Sequence, residues 1–174
     1  MQLEKIIKQA AADRERHFKL GKPMLAKEGF KEANIAHDIS YAFRRAGYYS
    51  FPEFTLSQGG AVDHVFVRRN EVIVCEWKRL YARHTQQVAD QTKRIKQFKP
   101  KQQFAEHGFP SRPWKVKHLW VCDAWTNNES VKWWLGQPTE ISTRYPFHDW
   151  DVGKYSFPSL GENYDHYCWL WAIH

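Results

Sequence analysis

Two stretches near the start of the chain carry apolar side chains at every third or fourth position. In residues 2–20 these are Leu3, Ile6, Ile7 and Ala10, and in residues 30–46 they are Ile35, Ile39, Ala42, Phe43 and Ala46. Positions spaced in this way fall on one side of an α-helix, so the pattern predicts two amphipathic helices. Gly47 stands where a helix-terminating glycine belongs and marks the end of the second helix.

After Gly47 the pattern changes to short runs of aromatic and β-branched residues. Residues 48–55, 61–68 and 71–77 each fit a strand, and Pro52 favours an edge position for the first of them. Only Arg69 and Asn70 separate the second run from the third. This spacing predicts a tight hairpin in which Asn70 takes the left-handed conformation that such turns need.

The remaining chain predicts a crossover helix, a buried strand and a short helix. In residues 84–98, Val88, Gln91, Ile95 and Phe98 share one helical face, and Pro100 ends the pattern. Residues 105–115 read as a loop, residues 116–125 fit a strand parallel to a neighbour, and Asn127 and Asn128 begin a short helix through Leu135. From Ser142 onward there is no periodicity, but the density of Tyr, Trp and Phe predicts that this segment packs on the core.

This order of elements predicts an α/β or α+β fold with a mixed central sheet flanked by helices. The 174 residues fit one domain, 1–174, with a core at about 30–125 and an aromatic-rich C-terminal extension at about 126–174. No apolar run is long enough to span a bilayer, and the first residues lack the apolar stretch of a secretory leader. The expectation is a cytoplasmic protein without a membrane partner.

Composition adds a preference for anionic partners. Lys and Arg exceed Asp and Glu by enough to give a formal net charge of +7. Such an excess favours nucleic acid, because neutralising phosphates releases counterions. The three cysteines Cys75, Cys122 and Cys168 are far apart and form no C-x-x-C pair, so neither a zinc ribbon nor a disulfide framework is expected.

Candidate chemistry lies at the open end of the predicted hairpin. If Arg69 and Asn70 form the loop, paired positions sum to 139, and Asp63 faces Glu76 with Cβ atoms about 5 Å apart. Side chains alternate along a strand, so Lys78 points to the same side as Glu76. Two carboxylates this close repel each other unless a proton or a cation lies between them. Oxygen ligands of this kind suit Mg²⁺ or Mn²⁺, and a nearby ammonium group can orient an attacking water.

The segment GGAVDHVFVRRNEVIVCEWK resembles the core of the PD-(D/E)XK nuclease superfamily, in which an acid, a short hairpin and an apolar strand precede E-x-K. The resemblance implies a restriction-endonuclease-like core, in which Asp63 and Glu76 hold the metal and Lys78 assists the water. The backbone carbonyl of Trp77 would be a further ligand. The chain has Val62 directly before Asp63, at the position of the proline in the P-D motif that gives the superfamily its name. The implied activity is Mg²⁺-dependent endonuclease or phosphodiesterase action on DNA, with RNA left open.

The resemblance also implies a third acid and contacts to the nucleic acid. Glu32, on the stripe of Ile35, and Glu53, on the strand before the turn, are equal candidates for the third acid, with Asp38 as second choice. Members of the superfamily often also have a polar residue in the helix after E-x-K, and Gln91 and Gln87 are the candidates for it here. The basic side chains of that helix that are expected to contact phosphates are Lys93, Arg94 and Lys96.

Several alternatives stay open from the sequence. E-x-K also arises by chance at strand ends, where it forms an ordinary ion pair. A nuclease-like fold without catalytic activity would act as a module that binds nucleic acid or protein. The aromatic C-terminal segment is compatible with an interaction protein and with a homodimer.

Overall fold

The structure is a computed structural model that describes residues 2–20, 32–56, 59–125, 129–157 and 167–174, and only the backbone of Leu20, Glu32 and Ala33. The helices are α1 (Gln2–Leu20), α2 (Glu32–Arg45), α3 (Thr85–Lys96), α4 (Pro100–Glu106) and α5 (Glu129–Trp134), with a short 3-10 turn at Ala82–His84. The strands are β1 (Tyr49–Thr55), β2 (Ala61–Arg68), β3 (Glu71–Arg79), β4 (Lys115–Trp125), β5 (Asp151–Ser156) and β6 (Tyr167–Ile173). The predicted mixed α/β architecture is confirmed.

The strands form one six-stranded sheet in the order β1-β2-β3-β4-β6-β5. β3 and β4 pair in parallel, and every other neighbouring pair is antiparallel. The parallel pair is the one joined through α3, as expected for two strands linked by a crossover helix. β1 lies at one edge of the sheet, which leaves its outer side open beside α2.

The apolar stripe of α2 explains how this helix is held and where it ends. Ile35, Ile39 and Phe43 are buried against the sheet. At the end of the helix, the Tyr48 N–H donates to the Phe43 carbonyl and the Gly47 N–H donates to the Arg44 carbonyl, each at 3.0 Å. Gly47 has a φ of +84°. This is the Schellman arrangement, so the predicted helix-terminating glycine is confirmed, and it turns the chain directly into β1.

The hairpin register is the one that the sequence predicts. His64 pairs with Cys75 and Arg68 with Glu71, so paired positions sum to 139. The prediction for Asn70 was wrong: the residue with positive φ is Arg69, at 54°. Some two-residue hairpin loops need positive φ at both positions, and others need it only at the first. The second kind fits Arg69.

Both faces of the sheet are covered. Successive side chains along each strand point to opposite faces, and this alternation divides the core into two clusters. Phe66, Ile73, Cys75 and Trp77 pack with α1 and α2 in one cluster. Val65, Val67, Val72 and Val74 belong to a second cluster with α3 and α5. The predicted assignment of these eight side chains to two faces is therefore confirmed.

Two parts of the chain contain more regular structure than the sequence analysis assigns to them. Pro100, which was taken as the end of a helix, is the first residue of α4, a position that proline tolerates because no intrahelical partner for its missing N–H is needed there. The aromatic segment after Ser142 provides β5 and β6, and β6 inserts between β4 and β5. All seven residues of β6 are buried, so it shows no polar alternation.

None of the helices in the described ranges combines the length and the apolar character that crossing a bilayer requires.

Candidate metal site and adjoining cleft

Asp63 lies where the backbone pairing between β2 and β3 ends. One step beyond the pair His64–Cys75, the register places Asp63 opposite Glu76. The backbone N–H of Trp77 donates to Oδ2 of Asp63 at 2.9 Å. In a continued strand pair, a backbone carbonyl of β2 would accept from the Trp77 N–H. Here the side-chain oxygen of Asp63 accepts this hydrogen bond instead. This bond holds the Asp63 carboxylate beside the backbone that carries Glu76.

The carboxyl group of Glu76 is buried next to that of Asp63. The residue is 1% exposed, and its carboxyl group lies within hydrogen-bonding reach of Asp63. Burial and the neighbouring Asp63 carboxylate raise the pKa of Glu76 to about 8, although the Arg94 guanidinium acts in the opposite direction. At neutral pH the pair therefore retains a proton, which a metal ion can replace.

Helix α3 contributes the cation that contacts this pair. Nη2 of Arg94 donates to Oε1 of Glu76 at 2.9 Å. The guanidinium also lies close to the turn before β2, because a Cβ atom on Gly60 would be 3.6 Å from Nη1 of Arg94. Arg94 therefore bridges the helix, the acid pair and the turn. The phosphate contact predicted for Arg94 stays a prediction, and its guanidinium has a protein partner in this structure.

Unpartnered polar atoms lie on the same helix. Within the described ranges, Nε of Arg94 and Oε1 of Gln91 are buried and have no hydrogen-bond partner. Buried polar atoms without partners are uncommon and need an explanation such as a water or an ion. Gln91 is one helical turn before Arg94, so the two residues lie on the same side of α3.

Lys78 follows Glu76 by two residues on β3 and is half-buried. Alternation places it on the same face of the sheet as Glu76, the face that α3 covers. The opposite face of the same strand carries Trp77, whose ring lies 5.1 Å from the His64 ring. At this point the strand sends Glu76 and Lys78 to one side and Trp77 to the other.

Within the described part of the chain, no third acid is grouped with Asp63 and Glu76. Among those residues, no group of three or more His, Cys, Asp or Glu side chains is arranged to hold a metal ion. Asp38 instead pairs with Arg14 of α1 at 3.3 Å. Glu32 begins α2, but its side chain lies outside the described part of the structure.

Glu53 lies close to Asp63 without joining the acid pair. On either side of it, β1 pairs Pro52 with His64 and Phe54 with Val62, which places Glu53 opposite Asp63. Glu53 is exposed and has a φ of 48°. The left-handed conformation costs a non-glycine residue roughly 1–2 kcal/mol. Strain of this kind is often found at functional sites, so Glu53 remains a candidate ligand of the substrate or metal.

A cleft of about 960 Å³ lies between α2 and β1 and reaches Asp63. Its centre is formed by His64, whose Nε2 is 2.6 Å from Ser50 Oγ of β1 and 3.3 Å from Ser40 Oγ of α2. Burial lowers the pKa of His64 to about 4, so this imidazole is neutral at physiological pH. His64 therefore joins the helix to the edge strand, in agreement with its predicted packing role on the face opposite Glu76.

The other predicted phosphate contacts point away from the acid pair. Lys93 pairs with Asp90, and Lys96 pairs with Asp149 at 2.8 Å and lies over the Trp150 ring. Both lysines line a second cavity, of about 310 Å³, together with Arg144 of the C-terminal segment. Their predicted contact with nucleic acid stays a prediction, and it would concern a surface beyond the immediate site.

Comparison of the chain with models of known protein families, with curated proteins and with solved structures finds no match.

Proposed function

We propose that this protein is a metal-dependent nuclease that hydrolyses phosphodiester bonds in DNA at Asp63, Glu76 and Lys78. The observation that carries the proposal is the placement of Asp63 opposite the buried Glu76 across the β2–β3 hairpin, with Lys78 following on the same strand and face. The resemblance to the PD-(D/E)XK superfamily and the net charge of +7 support it.

The residues present fit Mg²⁺ or Mn²⁺. Mg²⁺ in proteins is bound by one or two carboxylates and keeps several waters, so two protein carboxylates suffice for a site of this kind. Asp63 and Glu76 would hold the ion, and the Trp77 carbonyl would be a third protein ligand. When bound, the ion supplies positive charge that lowers the pKa of a coordinated water and offsets charge on the phosphate.

The side chains of the site have separate tasks. Asp63 is fixed by the Trp77 N–H, so its carboxylate needs little reorganisation. Arg94 restrains Glu76 through an ion pair. The Arg94 side chain is itself 40% exposed, so its guanidinium is accessible to a phosphate. Lys78 donates hydrogen bonds only, and it would orient the attacking water and stabilise negative charge that develops on the scissile phosphate.

Nicking of supercoiled plasmid DNA tests the proposal. Wild-type protein is expected to convert the supercoiled form into the open-circular form in Mg²⁺ or Mn²⁺ but not in EDTA. The matched control is Glu71→Gln, a change on the same strand outside the site, which should cleave like wild type. Cleavage that EDTA does not suppress, or no cleavage in either cation, would contradict the proposal.

A second candidate is a nuclease-like fold that binds nucleic acid without cutting it. It is favoured by the Arg94–Glu76 ion pair, which occupies one oxygen of the acid pair, and by the lack of a third acidic ligand among the described residues. Calorimetric titration with Mn²⁺ separates the two candidates. If the protein only binds nucleic acid, the titration should give no heat of Mn²⁺ binding. If the protein is a nuclease, the titration should show one Mn²⁺ site, and Asp63→Asn should remove it.

A further inference from the structure

Two histidines face each other beside the β4–β6 strand pair. His118 belongs to β4, and His174 follows β6 directly. The backbone N–H of each residue donates to the carbonyl of the other, at 2.9 Å and 3.0 Å. Residues paired in this way carry their side chains on the same face of the sheet. Their two Nδ1 atoms are 3.3 Å apart. His118 is 7% exposed and the His174 side chain 37%, so the pair opens to solvent on the side of His174.

The Asp149 carboxylate determines which nitrogen of His174 carries a proton. Oδ2 of Asp149 is 3.0 Å from Nε2 of His174. A carboxylate only accepts hydrogen bonds, so Nε2 carries the proton, and in the neutral ring Nδ1 then has a lone pair. Lys96 of α3 also holds this carboxylate, with its Nζ 2.8 Å from Oδ2. The contacts from α3 through Asp149 therefore direct the Nδ1 lone pair of His174 towards His118.

The His118 ring offers a second lone pair at the same point. Burial disfavours the charged imidazolium, so the ring is neutral. The carbonyl of Ile95 lies near the ring and favours a proton on it. Placed on Nε2, which has no other partner among the described residues, this proton leaves Nδ1 unprotonated.

The distance between the two Nδ1 atoms fits a shared metal ion. Two nitrogen ligands of a tetrahedral Zn²⁺ ion lie about 3.3 Å apart when each Zn–N bond is about 2.0–2.1 Å long. The observed separation of 3.3 Å matches this value. It is longer than the roughly 2.7–3.2 Å of ordinary N–H···O hydrogen bonds, so a proton shared between the rings would bind them only weakly.

We propose that Nδ1 of His118 and Nδ1 of His174 bind a Zn²⁺ ion, and that Asp149 positions His174 for this task. Imidazole nitrogens suit Zn²⁺, whereas the carboxylates proposed to hold the nuclease metal suit Mg²⁺ or Mn²⁺, so this site is independent of the proposed function. A carboxylate bonded to the second nitrogen is the usual support of a metal-bound histidine. Waters on the exposed side would complete the coordination, because the described residues supply no group of three such ligands. The ion would fasten the segment after β6 to β4.

Titration with Co²⁺ in excess Mg²⁺ tests this inference by visible absorption. Mg²⁺ competes for the carboxylates, and Co²⁺ in an octahedral oxygen site absorbs only weakly. Wild type is expected to bind one Co²⁺ ion with strong absorption, and Zn²⁺ should displace it. His174→Ala, a change at a partly exposed position, should abolish this site. Asp149→Ala should weaken it by roughly 10- to 100-fold, and Asp149→Asn should weaken it less because its oxygen still accepts from Nε2.

His148→Ala is the matched control, since it removes an exposed histidine next to Asp149. It should bind Co²⁺ like wild type. Zn²⁺ should also raise the thermal unfolding midpoint of wild type and leave that of His174→Ala unchanged. No strongly absorbing Co²⁺ in wild type, equal absorption in His174→Ala, or an equal loss in His148→Ala would each overturn the inference. Absence of Mg²⁺-dependent DNA cleavage alongside an intact Co²⁺ site would remove the nuclease and leave this metal site.

Discussion

Lys78→Ala is expected to lower the rate of Mg²⁺-dependent DNA cleavage by roughly 10² to 10⁴-fold, the contribution typical of a positioned proton-transfer or charge-stabilising group. The variant should still bind Mn²⁺, because both carboxylates remain. The reason lies in β3, where Lys78 follows Glu76 by two residues on the same face and is partly shielded from solvent. Single-turnover cleavage and Mn²⁺ calorimetry on the same preparation measure the two properties separately.

Lys154→Ala is the matched control for this change, since Lys154 is an exposed lysine of a strand at the far edge of the sheet. It should cleave at the wild-type rate. Equal cleavage by wild type and Lys78→Ala would remove Lys78 from the mechanism. Loss of both cleavage and Mn²⁺ binding would instead assign Lys78 a structural role in the acid pair.

Glu76→Gln is expected to abolish cation-dependent cleavage and, in EDTA at pH 9, to make the protein more stable than wild type. The pKa of Glu76 is raised to about 8 in the folded protein, against an ordinary value of 4.5 that applies to the unfolded chain. The folded state therefore holds a proton that the unfolded state releases between these values. The contribution of Glu76 to stability is therefore full below pH 4.5 and falls as the pH rises toward 8, by up to about 5 kcal/mol.

Glutamine removes this pH dependence because it resembles the protonated acid. Its amide can donate to Asp63 and its oxygen can accept from Arg94, with no charge to bury. Urea unfolding at pH 5 and pH 9 in EDTA should therefore show similar stabilities at the lower pH and a more stable variant at the higher pH. Wild type as stable as Glu76→Gln at pH 9 would contradict the raised pKa.

Glu71→Gln is the control with the opposite sign. Hydrogen bonds from Lys117 and Tyr48 lower the pKa of Glu71 although its burial opposes them. The ionised form is therefore favoured in the folded state, and its stabilising contribution is present above the ordinary pKa and lost as the pH falls. Glu71→Gln should destabilise the protein at pH 9, where Glu76→Gln stabilises it.

The sequence predicts most of the site because the site is built from local spacing. A two-residue loop and the two-residue period of strands determine that Asp63 faces Glu76 and that Lys78 shares its side. The side-chain assignments to the two faces follow from the same rule. These relationships need no knowledge of how the helices are arranged around the sheet.

What the sequence does not predict depends on contacts between distant parts of the chain. β6 is buried on both faces and reads as an unbroken apolar run, so neither strand nor helix periodicity identifies it. The Arg94–Glu76 ion pair joins residues that are 18 positions apart on different elements. The basic character of α3 indicated a contact with phosphate, and only the packing of that helix on β3 reveals the carboxylate partner.

The cleft is likewise a product of packing. Ser40, Ser50 and His64 come from three elements, and none of them carries a motif in the sequence.

The central claim is that Asp63 and Glu76 together hold a divalent cation. A crystal of the protein soaked in Mn²⁺ tests it most directly, through anomalous diffraction from the metal. The account predicts one strong peak between the two carboxyl groups, and its absence in crystals of Glu76→Gln soaked in the same way. A fully soaked wild-type crystal with no peak between these carboxyl groups would contradict it.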